Sequence, residues 1–117
     1  MLNDGDNIII VHRRLYEKDS GRFFVGRVMD YADGLVRAQG YSFIKDLFTG
    51  NFVKKNEVRT KIFSIVSGTL IVYQIPSTVE VEHVEFQYQG GGKMYIVSDD
   101  GFRMDMSELH HEADKKP

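Results

Sequence analysis

Residues 22–43, RFFVGRVMDYADGLVRAQGYSF, constrain the fold more than any other part of the chain. Two runs of alternating apolar and polar residues flank Asp33-Gly34. Successive side chains of a strand point to opposite faces, so alternation is the mark of a half-buried strand. An Asp-Gly pair between two such runs supplies the positive φ angles of a two-residue hairpin turn. In the first run Phe24, Gly26 and Val28 share one face, and Phe23, Val25, Met29 and Tyr31 share the other. A glycine inside a strand marks a bend or the close approach of another backbone, which is expected at Gly26.

The same grammar extends along the chain. A first strand is expected over residues 7–16, with a turn at Asp19, Ser20 and Gly21. Residues 44–59 read as a projecting hairpin, with a short helix of one or two turns as the alternative. TKIFSIV and TLIVYQI flank Ser67-Gly68 and read as a tight hairpin of strands apolar on both faces. Val79 and Val81 are then out of phase with Val84, Phe86 and Tyr88. A one-residue slip sends every side chain to the wrong face, so a bulge or break is expected near His83. KMYIV and FRMDMSE complete a meander, with Phe102, Met104 and Met106 facing inward. The expected fold is all-β: a small antiparallel barrel of SH3 or Sm-like type, or a two-sheet sandwich, extended by a C-terminal β-meander. At 117 residues the chain is one domain, expected over residues 1–109, with a polar, disordered tail at 110–117.

Several chemistries are excluded or weakened by the residues themselves. The chain has no cysteine, which removes disulfides, thiolate metal sites and cysteine nucleophiles. Its start, MLNDGDNIIIVHRR, is acidic and its apolar run is short, unlike a secretory leader. No stretch reaches the length of a membrane span, so a cytoplasmic protein with no membrane partner is expected. QGGGKMY resembles a phosphate loop only superficially, since Met94 stands where a hydroxyl residue is needed and a strand follows instead of a helix. Its glycines suit a hairpin. His110, His111, Glu112 and Asp114 lie in the polar tail, where no preorganised metal site is expected. Asp99, Asp100, Asp105 and Glu108 have the spacing of turn and solvent positions, not of a catalytic pair. No serine sits in a nucleophile motif. The chain is therefore read as a non-enzyme without a cofactor.

The net charge of −2 conceals an uneven distribution. Residues 1–61 hold 11 Lys and Arg against 8 Asp and Glu, or +3, and residues 62–117 hold 4 against 9, or −5. In the first half His12, Arg13, Arg14, Arg22, Arg27, Arg37, Lys54, Lys55, Arg59 and Lys61 are interleaved with Tyr16, Phe23, Tyr31 and Tyr41. Guanidinium forks beside aromatic faces can hold phosphates and stack bases. Arg13, Arg14, Arg22, Arg27, Arg37 and Tyr31 are the candidate ligand-binding residues, with RNA or a nucleotide as the expected partner. A homo-oligomer is also expected, as an outlet for strands apolar on both faces, and a purely structural homo-oligomer is the alternative function.

Two family resemblances accompany this reading. FFVGRVMDYADGLVRA resembles the first meander of Sm-like small barrels through Gly26, Val28, Tyr31 and Leu35, with Ala32 where that family has an acidic residue. That resemblance implies a bent barrel, ring assembly and RNA binding. The same region is similar to PilZ domains, with Arg13 or Arg14 and then Asp30, Ala32 and Gly34 in the motif positions. That likeness implies binding of a cyclic dinucleotide.

Overall fold

A computed structural model describes residues 2–12, 22–46, 48–49, 51–66, 68–89 and 93–106. Arg13, Arg14, the turn at 19–21, the loop glycines 90–92 and the tail from 107 lie outside them. The fold is all-β, with nine strands among the described residues: β1 (Asn7–His12), β2 (Arg22–Ala32), β3 (Leu35–Lys45), β4 (Phe52–Lys54), β5 (Arg59–Ser64), β6 (Leu70–Ile75), β7 (Glu85–Gln89), β8 (Lys93–Val97) and β9 (Arg103–Asp105). One 3₁₀ turn, Val81–His83, separates β6 from β7. Among the described residues no helix is long and apolar enough to cross a membrane.

The strands form two antiparallel sheets. The large sheet has the order β4-β3-β2-β1-β6, and β5 shares the outer edge of β3 with β4. The small sheet is the C-terminal meander β7-β8-β9. Asp33 and Gly34 join β2 to β3 with φ of 55° and 77°, the two positive angles that the sequence requires of this turn. β7 and β8 pair antiparallel from Glu85↔Val97 to Gln89↔Lys93, and Lys93 and Met94 begin a strand and not a helix. β4 pairs back on β3, which makes residues 44–54 a hairpin. The 3₁₀ turn absorbs the phase slip near His83, so Val79, Val81 and Val84 are all buried.

β5 and β6 do not form the hairpin expected around Ser67-Gly68. β5 pairs with β3 and β6 with β1, at opposite edges of the large sheet. This arrangement forces the sheet to coil. Ser64 is level with Leu35 and Ala32, whereas Leu70 is level with His12 at the other end of β2. On a flat sheet these ends would lie about 35 Å apart, but the six Cα steps between them reach only about 21 Å. The coil is visible in the rings: Phe63 of β5 lies 5.4 Å from Phe24 and 6.3 Å from His12. Gly26 and Gly40 face each other in the middle of β2 and β3. A Cβ on Gly40 would fall onto the Val25 carbonyl and the Gly26 backbone, so the glycine pair allows the close approach at the bend.

Each face of the coiled sheet has its own core. The concave face buries Ile8, Ile10, Phe24, Val28, Val36, Ala38 and Phe63. The convex face buries Ile9, Val11, Phe23, Val25, Phe43 and Ile75 against Met94, Ile96 and Met106 of the small sheet and its flank. Phe23 stacks on Phe43 at 4.8 Å, and Phe52 and Phe86 close the cluster from the strands on either side. Strand β6 lies between the two cores, with Val72 on one and Tyr73 and Ile75 on the other. Its two apolar faces therefore reflect two layers.

Candidate anion-binding site

The coil gathers cations that the sequence scatters. His12 ends β1, Arg22 begins β2, and Arg59 and Lys61 belong to β5, which the coil swings over the concave face. The Lys61 ammonium lies 5.3 Å from the centre of the Phe24 ring and donates to Ser42 Oγ at 2.9 Å. That anchor points Lys61 toward the end of the sheet where β1 finishes and β2 starts. Burial, then Arg22, then Lys61 hold the His12 pKa below its ordinary value. Burial, then Arg22, then Arg59 likewise lower that of Lys61. Both shifts mean that the charged forms are crowded by like charge and short of water. Among the described residues one carboxylate pairs with this group, Glu57 on Arg59 at 2.6 Å, and that pair is exposed.

The six candidates from the sequence do not form one rim among the described residues. Arg22 lies on the concave side, in the cluster just described. Arg27 and Arg37 project from the convex face, because an odd offset along a strand reverses direction. Arg37 is paired with Asp30 across β2 and β3 at 2.7 Å, which also occupies the Asp30 of the PilZ-like motif. Tyr31 falls on the concave face, opposite to the side that simple alternation gives. A bulge between Val28 and Asp30 inserts one residue and reverses the phase, so Tyr31 packs half-buried beside the concave core. Arg13 and Arg14 follow His12 directly but lie outside the described residues.

Most aromatics near the cations are committed to the interior. Phe23, Phe24 and Phe43 are fully buried, and Tyr41 lies under the Lys54 ammonium at 4.8 Å. Lys54 itself is a strap between the sheets. Its Nζ donates to the carbonyls of Glu82 at 2.6 Å and Val84 at 2.9 Å, just before β7. Asn7 is a second strap, one that alternation and turn signals do not reveal. It is wholly buried, and its Nδ2 donates to Pro76 O at 3.1 Å and Val79 O at 2.7 Å. The only hint is an amide placed directly before three isoleucines.

The C-terminal carboxylates have local partners. Asp100 Oδ1 accepts from the Phe102 N–H in the β8–β9 turn, and Asp99 lies 3.0 Å from His83 Nδ1, which Glu80 also contacts at 3.0 Å. Among the described residues no group of three or more metal-ligating side chains is disposed to hold an ion. No protein-family model, curated protein or solved structure matches this chain.

Proposed function

We propose that the protein is a non-enzymatic binding module that takes a phosphate-backbone polyanion, such as single-stranded RNA, at the end of the coiled sheet. The observation that carries this reading is the convergence of His12, Arg22, Arg59 and Lys61, with Glu57 the single described carboxylate paired to any of them. Concentrated like charge is costly until a counter-charge arrives, and a chain of phosphates supplies one per residue. Burial of the neighbouring phenylalanines leaves few faces for bases to stack on, which favours recognition of the backbone over the sequence.

Fluorescence anisotropy with a labelled oligonucleotide tests the reading. Three contacts to single-stranded RNA give a slope of log affinity against log salt of about −2, and protonated His12 steepens it to about −3. Oligonucleotides of different sequence should bind alike, and replacing Arg22, Arg59 and Lys61 together by glutamine should abolish binding. A protein that binds no polyanion at low salt, or a triple variant that binds as well as the parent, would refute the proposal.

A second reading, self-association, is favoured by the uncovered part of the convex face. There Ile62, Val58 and Leu35 are 62%, 53% and 49% exposed, beside an edge of β5 that no strand covers among the described residues. Sedimentation at high concentration should then find a dimer or larger species that Ile62→Lys dissociates.

A further inference from the structure

A groove of about 290 Å³ crosses the convex face, away from the basic cluster. It is lined by Arg27, Gln39 and Tyr41 and by the apolar Met29, Val58 and Val81. Glu82 of the 3₁₀ turn also lines it. The groove holds two opposite charges that do not neutralise each other. Arg27 has no ion-pair partner among the described residues, in contrast to Arg37, which Asp30 holds at 2.7 Å. Glu82 likewise forms no described ion pair, although its carbonyl is fixed by Lys54 at 2.6 Å. That bond and the burial of Val81 anchor the backbone of the turn. Gln39 makes only a long contact of 3.5 Å to Thr60, which leaves most of its hydrogen-bonding capacity for a guest.

We infer that this groove binds a free α-amino acid with an apolar side chain, its carboxylate at Arg27 and its ammonium at Glu82. Unpaired charges of opposite sign lining one groove complement a zwitterion better than an anion or a cation alone. Met29 and Val58, 44% and 53% exposed, offer the apolar bed for the side chain. The volume lies at the bottom of the range of small-molecule sites, which excludes a nucleotide cofactor but admits an amino acid.

The probe is L-leucine, titrated into ¹⁵N-labelled protein to about 10 mM, a concentration that saturates a millimolar site. Leucinamide lacks the carboxylate and 4-methylpentanoate lacks the ammonium. Leucine should shift the amides of Arg27, Gln39 and Glu82, and each truncated analogue should bind about tenfold more weakly or worse, the effect of one lost charged contact. Glu82→Gln should reduce leucine to the affinity of 4-methylpentanoate while leaving RNA binding intact. Absence of groove shifts with leucine, or 4-methylpentanoate binding as tightly as leucine, would overturn the inference.

Discussion

Lys54→Met is expected to weaken the protein out of proportion to the loss of one lysine. The Lys54 side chain is 13% exposed, and its ammonium closes the gap between β4 of the large sheet and the segment entering β7. Methionine keeps the aliphatic stem and removes both donated bonds. The Glu82 carbonyl is exposed and can turn to water, at a cost of about 0.5–1 kcal/mol. The Val84 carbonyl is partly buried, and losing a charged donor there costs about 1–2 kcal/mol. Loss of the cation–π contact with Tyr41 adds about 0.5 kcal/mol. The carboxylate of Glu85, 4.0 Å away and 67% exposed, contributes little. Relief from desolvating the ammonium offsets part of this, which leaves about 2 kcal/mol. With a urea dependence of about 1.5 kcal/mol per molar, the unfolding midpoint should fall by about 1.3 M with an unchanged slope. Lys55→Met, at the exposed neighbouring position, should move it by less than about 0.3 M. Equal midpoints for the two variants would refute the strap.

Three further outcomes are expected. Asn7→Ala leaves the buried Val79 carbonyl without the amide donor, while the Pro76 carbonyl keeps the Val79 N–H, and should cost about 1–3 kcal/mol in urea unfolding; Asn7→Asp, which sets a carboxylate against both carbonyls, should cost more at neutral pH. Gly40→Ala drives a Cβ into the backbone of β2 and should cost about 3 kcal/mol or prevent folding, whereas Gly68→Ala, which meets nothing within 4 Å, should stay within about 0.5 kcal/mol of the parent. Because the folded-state pKa of His12 is depressed, the unfolded chain protonates first as the pH falls below about 6.5, so the parent should lose more stability on acidification than His12→Gln does. Above about pH 8 the histidine is neutral in both states and the difference between the two proteins should be constant, as urea midpoints measured across the range will report.

How much could be read in advance depended on whether the signal was local. The Asp33-Gly34 turn, the phase slip at His83 and the inward Met104 and Met106 each rest on neighbouring residues, and each holds in the fold. The apparent hairpin at Ser67-Gly68 failed because pairing partners are chosen by the whole sheet. The short connection instead joins two distant edges once the sheet coils around Gly26 and Gly40. The opposite directions of Arg22 and Arg27 follow from the odd spacing between them. That Arg22 should meet Lys61 and Arg59 follows only from the coil. Alternation puts Tyr31 on the wrong face because nothing in VMDY announces a bulge.

The coil is therefore the claim on which the cation cluster depends, and nuclear Overhauser spectroscopy tests it most directly. Phe63 should show cross-peaks to the rings of both Phe24 and His12, whose centres lie 5.4 Å and 6.3 Å from its own. A flat sheet would hold Phe63 and His12 about 30 Å apart. Cross-peaks from Phe63 to Val36 with none to Phe24 or His12 would contradict the account.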